Sequence, residues 1–172
     1  MVNATPGLAA DPRLILSEEE LDRALEVFLL AEVAFWAAAD EVLDRPSPSP
    51  KLGVKLGRGH FRAAFLLKRR PGLGVQDLAR LTGLSKQGAS RVLKELIDGG
   101  YAEAAPGALD ARRRPTHLTE RGQAFEADIS SSLRALLAGA YREGGIDAAP
   151  GARRILAAIA GPRFSSRRKD TL

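Results

Sequence analysis

A mainly α-helical fold carrying one small β-hairpin is the class this sequence predicts, and three observations predict it. Apolar residues recur at intervals of three and four along several segments, the spacing that lines one face of a helix. Polar caps and glycines stand at the ends of those segments, where helices start and stop. Two short runs, from Tyr101 to Ala105 and from Pro115 to Leu118, flank a turn-rich stretch, Pro106-Gly107-Ala108-Leu109-Asp110-Ala111, which reads as a hairpin tip.

Ser17-Glu18-Glu19-Glu20 has the form of a capping box, a hydroxyl at the cap and a carboxylate three residues on. Behind it come Leu21, Leu25, Phe28, Leu29, Phe35, Trp36, Ala39 and Leu43. A helix from about residue 18 to about residue 43 follows, longer than a small domain needs. The stretch Asp44-Arg45-Pro46-Ser47-Pro48-Ser49-Pro50 reads as a linker, and Phe61, Ala64, Phe65 and Leu67 then mark a helix that ends before Pro71-Gly72. A short helix through Val75 to Leu81 is expected to end at Gly83, which has no side chain to oppose a left-handed turn. Ser85 stands where an N-cap belongs, and Gly99-Gly100 closes the helix it opens. On that helix Ala89, Val92, Leu93, Leu96 and Ile97 form an apolar stripe, whereas Lys86, Gln87, Ser90, Arg91 and Lys94 occupy the other side. Past the hairpin, Phe125, Ile129, Leu133, Leu136, Leu137, Ala140 and Tyr141 predict a second long helix from Glu120 to Glu143, closed by Gly144-Gly145. Pro150 is expected to open a last helix bearing Ile155, Leu156 and Ile159, ended by Gly161-Pro162.

A short helix, a glycine turn, a polar-faced helix and a hairpin in unbroken succession is the order of a winged helix-turn-helix, which reads duplex DNA. Arg112, Arg113 and Arg114 lie beside the hairpin tip, and three adjacent guanidiniums repel one another unless phosphates or a narrow minor groove receive them. The charge is distributed accordingly. Residues 1–50 hold 3 Lys/Arg against 10 Asp/Glu, residues 51–121 hold 15 against 6, and residues 122–172 hold 8 against 5. The excess of cations sits where the reading elements are, as a face built for phosphate requires.

The run from Val75 to Tyr101, with Asp110-Ala111-Arg112 and Leu118-Thr119-Glu120-Arg121-Gly122 after it, resembles the MarR family of bacterial transcriptional regulators. The resemblance implies a symmetric dimer whose polar-faced helix enters the major groove and whose wing arginine enters the minor groove. By position it assigns Ser85, Lys86, Gln87, Ser90 and Arg91 to the groove-facing set, Arg112 to the minor groove, and Asp110 to orienting the arginines. Within that assignment Gln87, Ser90 and Arg91 are the base-reading candidates, Lys86 and Lys94 grip phosphate, and Arg113 or Arg114 joins Arg112. The first wing strand, Ala102-Glu103-Ala104-Ala105, departs from the family in having no basic residue. The resemblance also implies a small aromatic or anionic effector, for which Trp36, His60, Phe61 and Phe65 are the candidate pocket.

The expected organisation is a flexible N-terminus (1–16), an N-terminal dimerisation helix (17–45), the winged helix-turn-helix (51–121), C-terminal dimerisation helices (122–162) and a basic, disordered tail (163–172). Apolar stripes wider than one small reader can cover are the reason to expect a second copy. Each sharp reading has a plain one beside it. The polar face could be ordinary solvated helix, the arginine run could pair with the acidic first helix, and the aromatic residues could simply be core. With two histidines and no cysteine, no metal-ligand spacing and no thiol chemistry is expected, and no cofactor. No nucleophile elbow or phosphate-binding glycine loop points to an enzyme. No apolar stretch approaches the length of a membrane span and no leader is evident, so a cytoplasmic DNA-binding dimer is the expectation. A sequence-tolerant architectural DNA-binding protein and a protein-interaction module are the competing classes.

Overall fold

The computed structural model describes residues 16–45, 55–104 and 115–161. Six helices and one hairpin follow in order: α1 (Glu18–Leu43), α2 (Arg58–Arg69), α3 (Val75–Thr82), α4 (Lys86–Asp98), β1 (Ala102–Ala104), β2 (Thr116–Leu118), α5 (Glu120–Gly144) and α6 (Ala148–Ala160). Contacts divide the chain after Phe35, so residues 1–35 and 36–172 are separate units.

In the first unit the capping box forms as its spacing predicts. The Ser17 backbone N–H donates to Glu20 Oε2 (2.8 Å), and the Glu20 N–H donates to Ser17 Oγ (3.2 Å). The apolar residues behind it stay in solvent: Leu25 is 56% exposed and Val33 68%. Of the stripe expected along α1, only Trp36 and Ala39, both in the second unit, are buried.

In the second unit Ala63 and Leu67 of α2, Leu73, Leu78 of α3, Ala89, Leu93 and Leu96 of α4, and Ala102 of β1 form one core cluster. Gly83 takes the left-handed conformation (φ 77°), and its N–H bonds to the Ala79 carbonyl, which stops α3 and lets the N-cap of α4, Ser85, follow two residues later. Ile97, expected in the apolar stripe of α4, is 37% exposed, because one further residue turns it about 100° away from Leu96 and off the core. The hairpin pairs antiparallel, with Ala102 opposite Leu118, Glu103 opposite His117 and Ala104 opposite Thr116. Its strands are shorter than the sequence suggests. The Tyr101 N–H is spent on closing α4 through the Leu96 carbonyl (2.8 Å), and Pro115 has no N–H to offer a ladder.

The Thr119 side chain caps α5 by accepting the Gly122 N–H (3.2 Å) and donates to the Gly100 carbonyl (2.7 Å), so the helix start is tied to the end of α4. Glu126 of α5 is buried and takes Lys68 of α2 and Ser130 Oγ (2.5 Å), with Arg69 4.0 Å away. Helix α6 begins at Ala148, two residues before Pro150, since a proline in the first turn sacrifices no helical hydrogen bond. None of its residues is buried, and Ile155, Leu156 and Ile159 are exposed.

Candidate nucleic-acid interface

Helix α4 presents the expected reading residues on one side. Ser85, Lys86, Gln87, Ser90, Arg91 and Lys94 are all exposed, while Ala89, Leu93 and Leu96 anchor the opposite side in the core. Ser85 Oγ accepts the Gly88 N–H (3.0 Å) and so caps the helix that carries the face. Ser85→Ala is therefore expected to lower stability by about 1 kcal/mol, read as a drop in thermal midpoint. At the Lys86 end the first N–H groups of the helix lack intrahelical partners, and an anion is favoured there.

Two of the cations are already engaged. Lys94 pairs with Asp98, and Arg91 Nε donates to Glu95 Oε1 (2.8 Å). Lys94–Asp98 is an exposed pair one turn apart and correspondingly weak, whereas the Glu95 end of the Arg91 pair is only 20% exposed. Glu95 is more than a surface partner. Its second oxygen lies 2.8 Å from Nε2 of buried His60, and His60 Nδ1 accepts the Gly57 N–H (3.0 Å) at the start of α2. A ring nitrogen that accepts a backbone N–H carries no proton, so Nε2 is the donor toward Glu95. The hydrogen bonds from Arg91 and then from His60 hold the Glu95 carboxyl below the ordinary glutamate range. Glu95 was not among the residues the sequence singled out, although its position four residues after Arg91 was a signal for it.

An open cleft of about 630 Å³ lies beside this chain of bonds, lined by Lys55, Gly57, Gly59, His60, Leu84, Gly88, Arg91, Val92 and Glu95. Of the four residues expected to form an effector pocket, only His60 lines this cleft. Phe61 and Phe65 pack against each other with centroids 5.8 Å apart, Arg69 lies over Phe65, and Arg58 and Arg62 lie over Trp36. Arg58 also forks onto Asp40 (3.0 and 2.5 Å) and holds that carboxyl below its usual range. Asp110, Arg112, Arg113 and Arg114 lie outside the described residues. Among the described residues there is no group of His, Cys, Asp or Glu that could hold a metal, and no helix is long and apolar enough to cross a membrane.

Residues 53–113 match the family model described as MarR family. Over 149 residues, covering 87% of this chain and 85% of the relative, the sequence is 37% identical to the HTH-type transcriptional regulator PetP of Rhodobacter capsulatus. The chain belongs to the MarR family. MarR-family folds recur among solved structures: Staphylococcus aureus MarR in complex with salicylate and kanamycin superposes with a TM-score of 0.66 at 13% identity, over 83% of this chain and 91% of that one. A Mycobacterium tuberculosis MarR-family protein in complex with salicylic acid gives 0.55 at 22% identity, over 82% and 94%. The hairpin and the helices before it are thus the winged helix-turn-helix of a MarR-type, DNA-binding transcriptional regulator, and not an enzyme. Membership also gives the Leu118-Thr119-Glu120-Arg121-Gly122 segment its meaning: in this chain it is the cap and close contact that join wing to α5.

Proposed function

We propose that this regulator binds an inverted-repeat operator as a homodimer in the cytoplasm and represses by obstructing polymerase. One observation carries the reading: six polar or cationic side chains from Ser85 to Lys94 share the exposed side of a helix whose other side is locked into the core. On this reading Gln87, Ser90 and Arg91 meet base edges, Lys86 and Lys94 meet phosphate, and Arg112, with Arg113 or Arg114 and oriented by Asp110, takes the minor groove. A twofold dimer sets its half-sites roughly 10 bp apart.

Self-association is supported by apolar surface with no cover in one chain, on α1 at Leu21, Leu25 and Phe28 and on α6 at Ile155, Leu156 and Ile159. Light scattering is expected to give twice the chain mass, and Leu25→Asp is expected to shift it toward one. For DNA, log K is expected to fall with log salt at a slope of about −4 or steeper, from four or more neutralised phosphates. A flat salt response would point instead to a protein-interaction module. In competition with unrelated duplex, Gln87→Ala is expected to change sequence preference while Lys86→Ala weakens all duplexes alike. If both weaken every duplex equally, the architectural reading replaces this one.

Release by a small-molecule effector belongs to the same proposal, supported by the salicylate complexes of the structural neighbours. Trp36 is the sole tryptophan, so its fluorescence reports directly on the pocket proposed around Trp36, His60, Phe61 and Phe65. Salicylate is expected to quench it saturably, and a linear, unsaturable response would dismiss that pocket.

A further inference from the structure

We infer that Glu95, steadied by His60, is a specificity-determining positioning residue that presents Arg91 to DNA in one fixed orientation. The inference rests on the proposed role of α4 in reading bases and names how one of its contacts is made selective. Arginine on an exposed helix surface loses several rotatable bonds when it grips a base, and a partner that holds it beforehand reduces that loss. In this chain the Nε edge of Arg91 is taken by Glu95 Oε1 at 2.8 Å. The terminal NH₂ groups belong to a side chain that is 81% exposed. That end presents two parallel donors, which match the O6 and N7 acceptors of guanine in the major groove.

Glu95 could not serve as such a support if its own carboxylate were free to turn. It is not free, because Oε2 takes the His60 Nε2–H at 2.8 Å, and His60 is fixed in turn by the Gly57 N–H at 3.0 Å and by burial on α2. The support therefore comes from a neighbouring helix, whereas an ordinary pair within one helix has no such anchor. Lys94 with Asp98 shows the contrast, since that pair lies wholly on α4. The carboxylate also sets a sign: beside phosphate it is repulsive, so its presence on this face favours a base contact over loose backbone binding.

The test selects bound sequences from a random duplex pool with the full chain and with the Arg91→Ala, Glu95→Ala and doubly substituted variants. Affinities are then measured on the selected duplex and on its single-base changes. Arg91→Ala and Glu95→Ala are each expected to lower discrimination at the same guanine by about tenfold, and the double variant by no more than either alone. Affinity for unrelated duplex is expected to rise in Glu95→Ala. If Arg91→Ala removes the preference and Glu95→Ala leaves it intact, the positioning role fails while the DNA reading of α4 stands. If Arg91→Ala changes preference at no base, the reading of Arg91 fails and takes the positioning role with it. A variant that does not unfold cooperatively is replaced by a measurement on the unaltered protein, the ¹H–¹⁵N resonance of Arg91 Nε. Slow exchange with solvent, with and without operator, is expected; exchange as fast as in free arginine would overturn the inference.

Discussion

Gly122→Ala is expected to destabilise the protein by at least about 2 kcal/mol, although the same exchange at most helical glycines does the reverse. A Cβ on Gly122 would lie 1.9 Å from the Tyr101 carbonyl oxygen and 2.9 Å from its carbon. Both are backbone atoms, and that oxygen already accepts the Thr119 N–H at 3.1 Å, so neither α5 nor the start of the hairpin can yield without breaking the junction. Overpacking of this kind costs about 1–3 kcal/mol or more, which exceeds the gain of up to about 1 kcal/mol that alanine brings to a helix interior. Gly139 on the same helix is the internal control. Only the far end of Arg142 approaches a Cβ there, at 4.0 Å, so Gly139→Ala is expected to raise stability by about 0.5–1 kcal/mol. Urea midpoints of the two variants should move in opposite directions, and a Gly122→Ala midpoint at or above that of the unaltered chain would refute the contact. The wing is expected to suffer too, because Tyr101 stacks edge-on against Phe125 and receives Arg121 over its ring, both from α5.

The second large effect is expected at Glu126. Its side chain is 1% exposed and bonds to Lys68 and Ser130 Oγ, tying α5 to α2 across the back of the reading unit. Removing one partner of a buried pair costs about 3–5 kcal/mol when the other is left buried and charged. The two partners are not equivalent here. Lys68 is 40% exposed and can return its ammonium to water, whereas Glu126 cannot, so Lys68→Met is expected to cost more than Glu126→Gln. The pH dependence follows from the same balance. Burial alone would push the Glu126 carboxyl up, but the hydrogen bonds from Lys68 and Ser130, with the charges of Lys68 and Arg69, outweigh it and leave it below the ordinary range. A carboxyl depressed in the folded state contributes stability above its unfolded pKa and loses that contribution as pH falls through its folded one. Urea midpoints are therefore expected to drop from about pH 5 downward, and to drop less in Lys68→Met, where the carboxyl moves back up. An acid limb of unchanged slope in that variant would show that Lys68 is not what holds the charge.

Much of the architecture was legible because its signals are local. Ser17 with Glu20, Ser85 with Gly88, and Thr119 with Gly122 are caps within one turn, and Gly83 needs no distant partner to go left-handed. The exposed side of α4 was legible for the same reason, since helical period alone separates Lys86, Gln87, Ser90, Arg91 and Lys94 from Ala89, Leu93 and Leu96. Periodicity reports which residues share a side, and not which neighbour covers that side. Leu21 and Leu25 therefore read as buried surface yet are exposed in a single chain, and Ile97 counted as core though it lies at its margin.

From its order of residues alone, this chain determined which segments are helical and where most of them are capped, which side of α4 is polar, and the family to which it belongs. Those properties depend on atoms within a turn or two of each other and on patterns that need no third dimension. The tertiary structure alone decided that His60 meets Glu95 across 35 residues, that Lys68 meets Glu126 across 58, and that Gly122 closes against Tyr101. A histidine, a glutamate or a glycine has the same chemistry wherever the chain leaves it. Its role is set by the partner that packing brings within hydrogen-bond reach, and close packing of α2 and α3 behind α4 is what turns a common helical ion pair into an anchored one.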